Sequence, residues 1–371
     1  MIAITPDEDG FEPERDDPTE SIEQPFDPAR IKVRPLRLTV SLLVSRVEHE
    51  EIDLSPDFQR QAGIWNLQQK SRLIESLLLC IPIPVFYVAE NKDGNWAIVD
   101  GLQRIFTIYS FANNEFQLKY LEYRQEFNGA TYDDLPRPIQ RRINETQLHF
   151  NVIEYGTPEE VMFNIFHRIN TGGKPLNGQE IRHALHRGDN CRKLLSQLAG
   201  SSEFRTATDE SVKSHRMADQ ECVLRFLAFH IDPWEEYSGK SLDVYLGQAM
   251  DKIEGMSVAT RQTLKADFVR AMDAAQQLFG EYAFRKSGLQ GGPRSPISRP
   301  LFEAWSVALA RCSESDIRRL IDRRVKVQER FNELIVSDPE FEKSISSATA
   351  TKWRIKKRFQ AVNDLVQELS S

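Results

Sequence analysis

The stretch that most constrains the fold of this chain is residues 85–113, because it specifies three consecutive elements and the turns between them. Two apolar runs, 85–89 and 95–99, flank a polar segment that ends in Asp93-Gly94. An Asp-Gly pair supplies the positive φ that a tight reversal between strands needs. The stretch therefore predicts a β-hairpin whose second strand ends near Asp100.

A glycine and a helical pattern follow that strand directly. Gly101 allows a sharp turn, and apolar residues then recur with the spacing of a helix: Ile105, Phe106, Ile108, Tyr109 and Phe111. Arg104 falls in the first turn, where free N–H groups and the helix dipole favour an anion, most often phosphate. The plainer alternative is that Asp100 caps the helix and Arg104 only forms a surface ion pair.

The rest of the first half predicts a small mixed sheet with helices. A strand followed by a helix fits residues 34–49, a helix fits 67–79, and a strand buried on one face fits 147–155. Two N-terminal capping patterns predict further helix starts, at Thr157-Pro158-Glu159-Glu160 and at Asn177-Gly178-Gln179-Glu180.

The two ends of the chain differ from this middle part. From residue 191 onward only helical periodicity is found, which predicts an all-α helical bundle. Residues 1–30 carry ten acidic residues against Arg15 and Arg30, which is typical of a disordered acidic leader. We therefore expect an α+β protein with three parts: the leader at 1–30, a domain with a small mixed sheet at 31–188 and a helical domain at 189–371.

Composition excludes several classes of protein. The four cysteines lie far apart, which favours reduced, buried thiols over a disulfide framework or a zinc ribbon. No apolar run is long enough to span a membrane, and no signal peptide is recognisable, so we expect a cytoplasmic protein without a membrane partner. The leader has a net charge of −8, so the remaining residues sum to +1 and are compatible with an anionic ligand.

Three polar motifs fall at predicted helix entrances or exits, where ligand-binding backbone is commonly displayed. They are P-x-F-Q-R at Pro56 to Arg60, D-G-x-Q-R at Asp100 to Arg104, and F-x-R-I-N-x-G-G-x-x-L-x-x-x-E at Phe166 to Glu180. Motifs at the ends of three elements can converge on one cleft.

In order and spacing these motifs resemble the DGQQR-motif domain, a domain of unknown function found at the N-terminus of GmrSD-type modification-dependent restriction enzymes. The resemblance covers roughly residues 34–230, including the segment Arg216 to Leu227. The central Gln of the family motif is Leu102 here. The nuclease signature Asp-His-Ile-x-Pro of longer relatives is not matched by His230-Ile231-Asp232-Pro233, which we interpret as a helix end.

The resemblance implies a ParB/sulfiredoxin-like core that binds a nucleoside triphosphate with magnesium. It implies catalytic roles for Asp100, Gln103 and Arg104, with Gln103 and Arg104 on phosphate and Asp100 orienting a magnesium-bound water or capping the loop. The expected nucleotide- or phosphate-binding residues are Gln59, Arg60, Gly101, Arg104, Asn170 and Glu180. A Walker A loop is absent from the sequence, so this is not a P-loop enzyme.

Three functions remain open. The first is a magnesium-dependent nucleoside triphosphatase acting with DNA or a nuclease partner protein in restriction or phage defence. The second is a non-catalytic ParB-like DNA-binding module, for which basic residues near the C-terminus are candidates: Lys352, Arg354, Lys356, Lys357 and Arg358. The third is a DNA nickase or endonuclease in which Asp100 and Glu180 hold a metal.

Overall fold

The computed structural model describes residues 5–14, 31–52, 54, 65–169, 177–186, 188–239, 241–286 and 294–371. Contacts divide the chain into two units. The sheet unit comprises residues 26–176, and the helical unit comprises residues 177–371 together with residues 1–25. This division falls after residue 176, whereas the sequence analysis places the domain boundary after residue 188.

The sheet unit has four strands and five helices among its described residues. In chain order they are β1 (Val33–Thr39), α1 (Val40–Glu48), α2 (Leu67–Leu78), β2 (Phe86–Glu90), β3 (Trp96–Asp100), α3 (Leu102–Ala112), α4 (Arg137–Glu145), β4 (Gln147–Ile153) and α5 (Glu159–Ile169). The strand order is β1-β4-β2-β3. Only the β2–β4 pair is parallel, so the sheet is mixed and the predicted α+β class is confirmed.

The hairpin of β2 and β3 forms where the Asp-Gly pair predicts it. Gly94 has a φ of +80°, and the Asn91 side chain accepts hydrogen bonds from the N–H groups of Asp93 and Asn95. The sheet buries Phe86 and Phe150 with ring centroids 4.9 Å apart. This packing fixes the end of β3 and thus the start of α3.

A loop after α3 is held by buried polar groups of α2. The carboxylate of Glu75 is 4% exposed and accepts hydrogen bonds from the N–H groups of Glu122, Tyr123 and Arg124, at 3.1, 2.7 and 2.9 Å. Ser71 Oγ accepts another from the N–H of Lys119. The loop therefore has a defined backbone although it carries exposed side chains.

The helical unit contains only helices as regular elements among its described residues, which confirms the predicted all-α second half. They are α6 (Gly178–Leu185), α7 (Asp189–Ala199), α8 (Ser202–Ala207), α9 (Ala218–Ile231), α10 (Leu242–Gly255), α11 (Val258–Phe279), α12 (Arg299–Arg311), α13 (Glu314–Asp322), α14 (Arg324–Ser337), α15 (Pro339–Ser346) and α16 (Lys352–Ser370). His230 lies in the last turn of α9, in agreement with its interpretation as a helix end.

A chain of alternating charges crosses the core of the helical unit. Its members are Asp243, Arg182, Glu221, Arg225, Glu303 and Arg358. Glu303 is fully buried and binds Arg225 at 2.6 Å and Arg358 at 2.5 Å. Burial alone would raise the pKa of Glu221, but Arg225 and neighbouring guanidinium groups lower it to about 2. The chain links α6, α9, α10, α12 and α16.

Residues 5–14 pack against the helical unit, although they belong to the expected disordered leader. Phe11 is fully buried in the helical core and forms a parallel bridge with Ile297. The expectation relied on acidic composition, and it misses this segment because one buried aromatic residue and the local ion pairs anchor it.

Candidate functional site

The turn between β3 and α3 has the geometry that the sequence predicts. Asp100 ends the strand, Gly101 has a φ of +102°, and α3 begins at Leu102. A Cβ atom on Gly101 would lie 2.4 Å from Cδ1 of Phe86. Both the backbone conformation and the space therefore require glycine at this position.

The acid and the arginine of the motif bind each other. Arg104 Nη2 lies 2.6 Å from Asp100 Oδ2, and the Asp100 side chain is 35% exposed. The N-cap residue of α3 is Gly101, so the alternative in which Asp100 occupies the capping position is wrong. The ion pair of Arg104 with Asp100, which is the other part of that alternative, does form.

Arg104 also holds the first turn of α3 against the segment before β2. Its guanidinium group donates to the carbonyl oxygens of Pro84 and Val85 and stacks on the ring of Phe86, 4.5 Å from the ring centroid. The Arg104 side chain is only 12% exposed. Burial lowers the pKa of Arg104, which Asp100 opposes, yet an arginine stays charged at neutral pH. Arg104 is therefore placed to neutralise Asp100 and to fix this turn.

The start of α3 offers backbone donors to an anion. The first intrahelical hydrogen bond runs from the N–H of Ile105 to the carbonyl oxygen of Gly101, at 2.9 Å. The N–H groups of Leu102 and Arg104 precede it and have no intrahelical acceptor by the geometry of a helix. Leu102 and Gln103 are both partly exposed. The arrangement suits an oxygen anion in front of the helix.

Of the other predicted contributors, Glu180 alone is among the described residues. Gln59, Arg60 and Asn170 are outside the described residues. Glu180 lies in the helical unit, where it is 1% exposed and forms a capping box with Asn177. Its Oε2 also accepts from Arg216 Nη2 at 2.8 Å. Glu180 thus organises the start of α6.

The basic residues near the C-terminus do not form one exposed patch. Arg354 is 3% exposed and donates to the carbonyl oxygen of Ser347. Arg358 is fully buried, with its guanidinium group on Glu303. Lys357 binds Asp338 at 2.8 Å.

The nucleic-acid role predicted for Arg354 and Arg358 is therefore corrected, because both guanidinium groups serve the packing of the bundle. Lys352 is exposed and Lys356 is partly exposed. Lys357 is also partly exposed, but its ammonium group is bound to Asp338.

The described residues do not fit a magnesium ion held by protein ligands. Within the described ranges, no three His, Cys, Asp or Glu side chains are grouped as a metal site would require. Asp100 is a single carboxylate, and its Oδ2 atom is bound to Arg104. Magnesium is usually held by one or two carboxylates together with substrate phosphates, so any role for the ion depends on the nucleotide.

Phe86 is a residue of the candidate site that was not expected from the sequence. The ring of Phe86 packs against the Arg104 guanidinium group and leaves no space for a side chain at position 101. A signal was available, because Phe86 opens the strand that pairs with β3 and thus lies beside the turn.

Part of the chain matches a protein-family model. A family model described as "GmrSD restriction endonuclease, N-terminal domain" matches residues 42–187. Residues 42–187 are similar to this domain family. The matched part of the GmrSD N-terminal domain begins within α1 and contains the Asp100 to Arg104 turn.

The match places this part of the chain in a restriction-related family. It extends beyond residue 176 into α6, which packs within the helical unit. A search of curated proteins gives no match to the chain. Among the described helices, none combines the length and the apolar character required to cross a bilayer.

Proposed function

We propose that the sheet unit binds a nucleoside triphosphate at the Asp100 to Arg104 turn and hydrolyses it as part of DNA restriction. The observation that carries this proposal is the left-handed Gly101 between the open end of β3 and the first turn of α3. A backbone turn of this kind, followed by a helix N-terminus, is a recurrent binding geometry for phosphate.

Each residue of the turn has a distinct role in this proposal. The N–H groups of Leu102 and Gln103 bind phosphate oxygens, and the side chain of Gln103 adds a polar contact. Arg104 is a positioning residue, because it is committed to Asp100 and to the carbonyl oxygens before β2. It also neutralises Asp100, which would otherwise repel the phosphates at short range.

Hydrolysis requires a positioned water molecule in addition to phosphate binding. Asp100 Oδ2 is bound to Arg104, so Oδ1 is the atom of this carboxylate that we assign to the water. Magnesium would enter with the nucleotide, because the described residues contain no group of three or more His, Cys, Asp or Glu side chains that could hold the ion.

The two alternatives receive less support from the described residues. A DNA-binding module on α16 loses Arg354 and Arg358, which are buried. A metal-dependent nickase requires carboxylates that share a metal, and the described ranges contain no group of three or more His, Cys, Asp or Glu side chains that could hold one. Glu180, the second expected ligand, is engaged by Arg216.

The proposal is tested with the full chain and with ATP, GTP, CTP and UTP, each with and without magnesium. At least one nucleotide should raise the melting temperature, since a ligand that binds only the native state stabilises it. The same nucleotide should be hydrolysed. If none of the four changes the melting temperature or releases phosphate, the proposal is wrong.

Variants then locate the site. Gln103→Ala and Asp100→Asn should lower turnover at least about tenfold, the usual scale for loss of a positioned polar group at a reacting centre. Arg104→Ala should lower both turnover and stability, because it also removes the contacts to Pro84 and Val85. Arg137→Ala is the control, since Arg137 is exposed. Full activity in Gln103→Ala and Asp100→Asn would move the site elsewhere.

A further inference from the structure

The segment of residues 5–14, here called the acidic strap, contains five acids and no basic residue. It lies on the helical unit, with the Phe11 ring fully buried. The N–H of Glu12 donates to the carbonyl oxygen of Ile297 at 2.8 Å, and the N–H of Lys213 donates to that of Asp9 at 3.1 Å. The strap is thus joined to the helical unit along its length.

The strap follows a defined turn rather than an arbitrary path. Asp7 Oδ1 accepts hydrogen bonds from the N–H groups of Asp9 and Phe11, at 3.0 and 2.8 Å. Gly10 has a φ of +96°, and a Cβ atom there would lie 2.0 Å from the carbonyl oxygen of Ser211. The turn directs the carboxylates of Asp7 and Asp9 to one cation, Arg299.

The surface under the strap is cationic. Arg299 lies 3.3 Å from Asp7 and 3.7 Å from Asp9, and Lys286 Nζ lies 2.9 Å from Glu12 Oε1. We call Arg299 and Lys286 the covered cations. They belong to the described part of the helical unit, which also supplies donors from Thr349 to Glu14. Guanidinium, ammonium, hydroxyl and backbone N–H groups are also the donors that bind nucleic-acid phosphates.

An aromatic ring accompanies the carboxylates. The guanidinium carbon of Arg299 lies 3.9 Å from the centroid of the Phe11 ring. Unpaired nucleobases stack on arginine guanidinium planes in the same way when proteins bind single strands. The docked strap therefore places a flat aromatic ring, flanked by carboxylates, against the helical unit. An unpaired nucleotide within a strand likewise presents a flat base flanked by phosphates.

Docking of the strap leaves part of its charge unsatisfied. Asp9 Oδ1 and Glu12 Oε2 are buried and have no hydrogen-bond partner within the described residues. Burial raises the pKa of Asp9, and the neighbouring Asp7 carboxylate adds to this effect. Buried carboxylate oxygens without donors oppose docking, so a better-matched anion can compete with the strap.

We propose that the acidic strap covers a surface of the helical unit, and that a single-stranded nucleic acid binds this surface when the strap dissociates from it. Arg299 and Lys286 bind the phosphates, and an unpaired base replaces the Phe11 ring on Arg299. This inference rests on the proposed role in DNA restriction. It concerns the helical unit, so it is tested separately from nucleotide turnover at the Asp100 to Arg104 turn.

The first experiment removes four of the five negative charges of the strap and keeps its anchor, the Phe11 ring. The full-length variant carries Asp7→Asn, Asp9→Asn, Glu12→Gln and Glu14→Gln, which preserves Phe11, Gly10 and an oxygen at position 7 for the turn. A matched control removes four exposed acids of the helical unit: Asp189→Asn, Asp322→Asn, Glu314→Gln and Glu329→Gln. Both variants change the net charge equally, so a difference between them reports on the strap.

Fluorescence anisotropy with a labelled oligothymidylate at low salt measures binding. We expect the strap variant to bind at least about tenfold more tightly than the control, with an affinity that falls as salt rises. Adding Arg299→Gln and Lys286→Gln to the strap variant should abolish the gain. Equal affinities of the strap variant and the control, or a gain that survives the loss of both covered cations, would overturn the proposal.

Competitors identify the class of ligand. Unlabelled oligothymidylate should displace the label, and duplex DNA and polyglutamate should do so much less effectively. Equal competition by duplex DNA would contradict the role of an unpaired base. Equal competition by polyglutamate would show a surface for acidic peptides and would overturn the proposal.

A second experiment uses the wild-type chain and avoids any effect of substitution on folding. Hydrogen exchange is measured at the amides of Phe11 and Glu12, which are bonded in the docked strap. Excess oligothymidylate should accelerate exchange at both amides. Unchanged or slower exchange while the oligonucleotide binds would contradict displacement of the strap. Nucleotide turnover, measured in parallel, reports separately on the proposed function.

Discussion

Arg104 of the sheet unit and Arg358 of the helical unit are both bound to a carboxylate, but their surroundings differ. The pair of Arg104 and Asp100 lies at the junction of a strand and a helix, and Asp100 is 35% exposed. The pair of Arg358 and Glu303 lies inside the bundle, with both side chains at 0% exposure. Only the first pair lies where a ligand can reach it.

The comparison separates two uses of charged residues in one chain. At the end of β3, charge positions a short turn and leaves backbone donors next to solvent. Inside the bundle, alternating charges satisfy one another, and any ligand would have to replace a buried partner. A basic residue in a helical sequence is therefore evidence for nucleic-acid binding only when its surroundings are known.

The largest expected effect concerns the buried pair. Glu303→Ala leaves Arg225 and Arg358 without their shared carboxylate, so we expect the free energy of unfolding to fall by about 3–5 kcal/mol. Denaturant titration measures the change. The control is Glu314→Ala, because Glu314 and Arg318 are 81% and 80% exposed and should contribute little. Similar losses in the two variants would contradict the distinction between buried and exposed pairs.

The next effect concerns the turn itself. Gly101→Ala should lower the free energy of unfolding by about 2–3 kcal/mol, from backbone strain together with overpacking against Phe86. Gly94→Ala is a matched control with a φ of +80° and no atom within 4 Å of the added Cβ. Its cost should be about 1 kcal/mol, from the conformation alone. Equal costs at the two glycines would show that Phe86 does not restrict position 101.

A smaller effect is expected where a buried acid holds an exposed loop. Glu75→Gln keeps the shape of the side chain but replaces one acceptor oxygen by a donor, so we expect a loss of about 1–2 kcal/mol. Glu126→Gln, on the same loop, should leave stability unchanged because Glu126 is exposed. Thermal unfolding of the two variants distinguishes the roles.

The same carboxylate gives a prediction for pH. Burial tends to raise the pKa of Glu75, but hydrogen bonds from the N–H groups of Arg124, Tyr123 and Glu122 lower it below its ordinary value of 4.5. The stabilisation is therefore complete above about pH 4.5 and is lost as the pH falls through the lower, folded-state pKa. Glu75→Gln should weaken the loss of stability below pH 4.5, and an unchanged pH profile would contradict this account.

The smallest effect concerns a helix start in the helical unit. Asn177→Ala removes the side chain that accepts from the N–H of Glu180 and should cost about 1 kcal/mol. Asn177→Asp keeps an acceptor and is the control. If the alanine variant is as stable as the aspartate variant, the cap contributes nothing.

The sequence predicts the parts of the fold that depend on neighbouring residues. Gly94 and Gly101 adopt positive φ values, and apolar spacing locates α3, so the hairpin and its turn follow from local chemistry. The capping box of Asn177 and Glu180 is local as well. The assignment of a phosphate contact to Gln103 remains a prediction, and the phosphate contact expected of Arg104 is replaced in the proposed function by a positioning role, because Arg104 binds Asp100 and the carbonyl oxygen of Val85.

The sequence does not predict the parts that depend on distant residues. Arg358 looks like a surface cation within its basic segment, but its partner Glu303 precedes it by 55 residues. The docking of Phe11 beside Ile297 joins residues even farther apart. No periodicity within one helix carries information on such pairs, because they are set by how helices pack.

The central claim is that an anion binds in front of α3, and amide chemical shifts of labelled protein test it most directly. On addition of the nucleotide that stabilises the chain, the amide signals of Leu102 and Gln103 should shift and saturate with the same dissociation constant as the thermal effect. Signals from the amides of the buried α12 should stay in place. If the nucleotide binds and the Leu102 and Gln103 amides do not respond, the turn is not the site.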